Sequence, residues 1–105
     1  MVFLFKDFHM APILRGEKTQ TRRLHKHPRR VGSIHQCRTT LFGQPFARIR
    51  IKRVWQERLC DISVEDALAE GGYTPEEYIR GMLEMHEKRG LQRTDLVWCY
   101  EFEVV

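Results

Sequence analysis

The segment Gly16-Glu17-Lys18-Thr19-Gln20-Thr21-Arg22-Arg23 places three cations and two hydroxyls within eight residues, directly behind a glycine. An ammonium and paired guanidinium groups at this density attract anions, and the planar guanidinium fork suits bidentate contacts to phosphate or carboxylate. Arg15 adds a fourth positive charge next to the glycine. The segment is therefore read as the functional centre of the chain. A plainer role fits the same residues: a solvated basic strand edge, with Thr21 a simple strand former.

Two further basic stretches could extend such a surface. His25-Lys26-His27-Pro28-Arg29-Arg30 reads as a basic loop broken by proline, and Arg48, Arg50 and Lys52 alternate with Ala47, Ile49 and Ile51. Together they could track a phosphate backbone, or they could be the wet side of a sheet. The chain as a whole carries +4, but residues 1–58 hold fourteen Lys/Arg against three Asp/Glu, and residues 59–105 hold four against eleven. That asymmetry attracts a polyanion to one side, and it also lets the two halves pair with each other. Trp55 and Tyr73 are candidate platforms for stacking a base, whereas Trp98 and Tyr100 read as core.

The elements that would position these residues follow from periodicity and punctuation. Val2 to Phe5 is a short apolar strand, and Asp7 can cap a helix running to about Arg15, which Gly16 stops. Thr19 to Leu24 and Ile34 to Thr40 have strand character. The run from Ala47 to Lys52 is the clearest strand, at period two. Ser63-Val64-Glu65-Asp66 resembles a capping box and opens a helix that ends near Gly71-Gly72. Thr74-Pro75-Glu76-Glu77 is a stronger start, with proline at the first helical position, for a helix that stops at Gly90. Leu96 to Val104 closes the chain as a strand. Five or six mostly antiparallel strands with two or three short helices make an α+β domain, with one wet sheet face.

At 105 residues the chain holds one domain, residues 1–105, since either half would be too small for its own core. Cys37, Cys60 and Cys99 lie far apart with no CxxC pair, so reduced thiols and a cytoplasmic setting are expected. His25, His27, His35 and Cys37 do not make two tight ligand pairs, and no metal or other cofactor is expected. No apolar run reaches membrane-spanning length.

The stretch Ile13-Leu14-Arg15-Gly16-Glu17-Lys18-Thr19-Gln20-Thr21-Arg22-Arg23 resembles the G-x-K-x-x-x-x-R signature of ASCH domains, relatives of the PUA domain of RNA-modifying proteins. Gly16, Lys18 and Arg23 occupy its fixed positions. A helix before the motif, the Val31-Gly32 turn, a capped helix ending at Glu70-Gly71 and a closing aromatic strand extend the resemblance over the whole chain. It implies a small PUA-like β-barrel with helices packed around it. It also implies a cleft near the motif for RNA or a modified nucleoside, with Gly16, Lys18, Arg22, Arg23, Arg29 and Arg30 as binding residues.

Some small ASCH proteins are amidohydrolases that remove the acetyl group of N4-acetylcytidine. By that resemblance Lys18 would be the base, Thr21 the nucleophile and Glu70 the proton donor. Such a base must be neutral, and the arginines beside Lys18 push in that direction. Lys18 and Thr21 would point to opposite sides of a flat strand, so the chain must bend between them. Three readings follow: a module binding RNA or a modified nucleoside, an amidohydrolase, and a ribonuclease working by acid–base catalysis in the same basic cleft.

Overall fold

The longest strand, β4 (Ala47–Arg58), organises the molecule. In its first half Ile49 and Ile51 are fully buried while Arg48, Arg50 and Lys52 are exposed, as strand alternation requires. In the computed structural model, which describes residues 2–105, β3 (Ile34–Arg38) and β5 (Leu96–Val104) pair antiparallel to β4 on its two sides. β1 (Val2–Leu4) lies parallel to β3, and β2 (Gln20–Arg23) lies antiparallel to β5. The order β1-β3-β4-β5-β2 leaves β1 and β2 as the two edges of one five-stranded sheet.

The barrel expected from the sequence is therefore not closed. Its two edges meet through side chains instead of backbone. The Arg23 guanidinium lies over the rings of Phe3 and Phe5, 5.0 Å and 4.8 Å from their centres. That distance is the ordinary spacing of side chains on neighbouring strands, yet no ladder joins β1 to β2. The seam stays open at the level of the backbone.

A bulge between Ile51 and Arg53 shifts the alternation, so that Val54 packs against the same cluster as Ile49 and Ile51. Two apolar clusters form the core. Phe3, Phe5, Ile13, Cys37, Ile49, Ile51, Tyr100 and Phe102 fill the concave side. Val97 and Cys99 of β5 turn the other way and join Leu59, Ile62, Ala67, Tyr78, Ile79 and Met82 beneath the helices. Cys37 and Cys99 are buried, whereas Cys60 is exposed.

Three short α-helices cover the sheet. The stretch expected to be one helix capped by Asp7 divides into a 3-10 turn, Asp7–His9, and α1 (Met10–Leu14); Lys6 stands at the N-cap and gives no side-chain cap. In α2 (Val64–Gly71) the Ser63 side chain accepts the Asp66 amide at 3.0 Å. In α3 (Pro75–Met85) both bonds of the Thr74/Glu77 capping box are present, at 3.2 Å and 2.9 Å. α3 ends at Met85, and a 3-10 turn, Glu87–Arg89, carries the chain to Gly90. Among the described residues no helix is long and apolar enough to cross a membrane.

Candidate functional site

Gly16 takes φ +76°, a left-handed conformation that a residue with a Cβ adopts at a cost. This turn lets the amides of Glu17 and Lys18 both donate to the Pro12 carbonyl, at 2.9 Å and 3.1 Å. The Thr19 amide then reaches Ala69 of α2 at 2.8 Å, and its carbonyl accepts from Phe102 of β5 at 2.9 Å. Lys18 thus sits on a bend ahead of β2, pinned to a helix on one side and a strand on the other. Its side chain reaches Glu70 of α2, and no hydrogen bond joins it to Thr21 among the described residues.

Lys18 is buried, and its Nζ makes three bonds: 2.6 Å to the Glu70 carbonyl, 2.9 Å to the Gln20 carbonyl and 3.0 Å to Glu70 Oε1. An ammonium has three hydrogens, and here each has an acceptor. Burial lowers the Lys18 pKa, with the Glu70 carboxylate opposing that shift. Glu70 arrives from the end of α2 and is 1% exposed, so each ion depends on the other for compensation.

Arg22 completes the charge balance around Glu70. Its NH1 donates to Glu70 Oε2 at 2.9 Å and to Gln20 Oε1 at 3.0 Å; its NH2 reaches Glu57 at 2.7 Å and Asp66 at 3.2 Å. Gln20 Nε2 donates to the other Asp66 oxygen at 2.9 Å. Strand alternation explains the set, because Gln20 and Arg22 both face α2. Arg22 also lies 5.6 Å from the centre of Trp55, whose ring carries Arg53 at 4.1 Å. Trp55, a candidate platform for a base, is thus occupied by arginines. The Tyr78 hydroxyl, buried beside Glu70, has its pKa pushed well above the ordinary value by that burial and then by the carboxylate.

Thr21 and Arg23 take the opposite face of β2. Arg23 Nε donates to Thr21 Oγ1 at 3.0 Å, and no ion pair among the described residues engages Arg23. Burial lowers its pKa, as expected for a cation held among aromatic rings.

These residues line one cleft of about 770 Å³ at the open seam between β1 and β2. Lys18, Thr21, Arg22, Arg23 and Glu70 all contribute to its wall, so the three residues assigned catalytic roles share one space. Lys18 and Glu70 are in direct contact; Thr21 is bonded to Arg23 and not to Lys18. Phe5, Phe8, Tyr73 and Tyr78 supply aromatic surface. Gly16 faces a separate depression behind α1, and Arg29 and Arg30 are not part of the cleft wall. Arg29 instead lies 5.3 Å from the centre of the Phe3 ring.

Of two histidines at the cleft, His9 had no signal in the sequence as a site residue, and His25 was read only as part of a basic loop. His9 Nε2 lies 2.9 Å from the Tyr73 hydroxyl, and His25 Nδ1 lies 2.9 Å from the Tyr100 hydroxyl. Burial, reinforced by neighbouring cations, lowers both pKa values to about 4. Gly71 makes the first contact possible: at φ +147° a Cβ there would stand 3.0 Å from the Tyr73 ring and 3.3 Å from His9 Nε2. No three His, Cys, Asp or Glu side chains among the described residues converge as metal ligands.

The open sheet and its helical cover define a small α+β domain with the fold seen in ASCH domain structures. Solved structures with this fold include an ASCH domain from Lactobacillus crispatus JV V101, 20% identical, with a TM-score of 0.78 over 98% of this chain and 77% of that one. Protein EF3133 from Enterococcus faecalis V583, of family DUF984, is 24% identical, with a TM-score of 0.81 over 99% of this chain and 75% of that one. A point mutant of ZmASCH from Zymomonas mobilis superposes at 0.67 with 12% identity, over 97% and 67%. At these identities the likeness is one of fold. No family model and no curated protein matches the chain.

Proposed function

We propose that the protein recognises a modified nucleoside, free or within RNA, in the seam cleft. The observation that carries this reading is Arg23: a guanidinium tied to no carboxylate, stacked on aromatic rings, at the wall of a cleft of about 770 Å³. That volume lies in the range of small-molecule sites, and the mixture of aromatic faces with a few fixed donors suits a base and its sugar. The Lys18–Glu70 pair forms a rigid polar floor. Three acceptors surround Nζ, and Arg22 NH1 holds Oε2. An ion pair held in this way is suited to presenting fixed dipoles to a ligand, which places recognition ahead of catalysis. Titration of a nucleoside panel and short oligonucleotides at low salt, followed by calorimetry, tests the reading. It expects binding by the wild type and loss in Arg23→Met, and absence of any binding would sink it.

A second reading, amide hydrolysis of an N4-acetylcytidine-type nucleoside, is favoured by the buried Lys18–Glu70 contact beside the Thr21 hydroxyl. Burial penalises two separate charges, so the proton on Lys18 can pass to Glu70 across their 3.0 Å contact. The neutral amine then takes the Thr21 proton as Oγ1 attacks the acyl carbon, and the Glu70 acid protonates the departing amine nitrogen. This leaves an acyl ester on Thr21 and restores the ammonium–carboxylate pair. Water next attacks the ester, giving a proton to Glu70 while Lys18 returns one to Oγ1. Chromatography of N4-acetylcytidine incubated with the protein would show cytidine and acetate. Turnover in a folded Thr21→Ala variant should fall by about 10³-fold or more. Wild-type rates in that variant would remove Thr21 as the nucleophile.

A further inference from the structure

The cleft has a rim as well as a floor, and the two differ in charge. Around Lys18 and Arg22 each cation has a carboxylate partner. At the mouth, Lys6 just after β1 and Arg89 in the 3-10 turn after α3 bring positive charge to the same wall, which His86 at the end of α3 also lines. Lys6 and Arg89 are exposed, and neither makes an ion pair among the described residues. Besides Glu70, the cleft wall includes one carboxylate, Glu77, and its Oε1 accepts the Thr74 amide in the capping box. The His86 pKa is lowered by burial and then by Arg89, Arg23 and Lys6, which places these three cations within electrostatic reach of one ring.

Clustered cations repel one another and raise the energy of the unliganded protein, unless an anion enters. The rim stands at the solvent end of a cleft whose inner walls carry the aromatic surface. A base lodged inside would leave its sugar, and whatever the sugar carries, at the mouth.

Resting on the nucleoside reading above, we infer that the ligand is phosphorylated, its phosphate bound at the cleft mouth by Lys6 and Arg89. The phosphate can be a terminal monophosphate or a phosphodiester within an RNA chain; both present the same oxygens to the same cations. The base enters the cleft and the phosphate stays at the rim, where Arg89 can offer two parallel donors and Lys6 a point charge.

The test compares N4-acetylcytidine, its 5′-monophosphate and a trinucleotide with N4-acetylcytidine at the centre, titrated by calorimetry into the wild type and into Lys6→Ala/Arg89→Ala. The wild type should bind at least one phosphorylated probe roughly tenfold more tightly than the nucleoside, and that ratio should collapse toward one in the double variant. A gain for the monophosphate assigns a terminal phosphate; a gain confined to the trinucleotide assigns the chain. Equal affinity for all three probes would overturn the inference while leaving nucleoside recognition standing. So would a ratio unchanged in the double variant, since the phosphate would then be seated elsewhere. If no probe binds at all, the nucleoside reading falls and this inference falls with it.

Discussion

Arg22 and Arg23 are neighbours in sequence and identical in chemistry, yet they live in opposite surroundings. Arg22 enters a network with three carboxylates, Glu57, Asp66 and Glu70, and its side chain is fully buried. Arg23, one residue on, points to the other face of the same strand, where it finds two phenyl rings and a hydroxyl. Strand alternation alone separates them. The difference teaches that a doubled arginine in a motif need not be a doubled ligand contact. One charge is matched by carboxylates inside the fold, and the other stands against aromatic rings at the cleft wall.

The sharpest way to break this contrast acts on Glu70, the carboxylate common to Lys18 and Arg22. Glu70→Ala leaves two buried cations short of a partner and should cost about 3–5 kcal/mol, read as a lowered urea midpoint. Next, Arg22→Met should cost about 2–3 kcal/mol, less because Glu57 and Asp66 are partly exposed and can be rehydrated. Arg23→Met, which keeps an apolar stem on the phenyl rings, should stay within about 1 kcal/mol of the wild type yet lose ligand binding. If the two variants lose stability equally, the division of labour between the arginines is wrong.

A separate effect is a slope with pH. His9 and His25 have folded pKa values of about 4 against an ordinary 6.5, so the unfolded chain binds more protons between those values. Their contribution to stability is present above pH 6.5 and is lost as pH falls toward 4. The double variant His9→Gln/His25→Gln should therefore lose stability less steeply over that window, measured as urea midpoints at stepped pH.

Much of the fold was legible in the sequence where a local rule decides the outcome. Thr74 and Glu77 announce their helix, Gly16 its turn, and Ile49 and Ile51 their strand. Legibility failed where the outcome depended on distant partners. β4 runs on to Arg58 past a bulge at Ile51/Arg53 that shifts its alternation, which the pattern over 47–52 cannot foresee. The basic pair Arg29 and Arg30 stands out in sequence, but neither lines the cleft. Lys6, His9 and Arg89, which do, lie in unremarkable local sequence and meet only because β1, α3 and their flanking turns converge. The charge asymmetry had two readings, and the structure shows one of them in part: Lys18 and Arg22 from the basic half meet Glu70 from the acidic half.

The open seam between β1 and β2 has a mechanical meaning. β1 and β2 share no ladder, so the cleft can widen or narrow without breaking a backbone hydrogen bond. Side-chain contacts would slide instead, those of Arg23, Lys18 and His25 against Phe3 and Phe5. The molecule carries its adjustable joint along one wall of its candidate site.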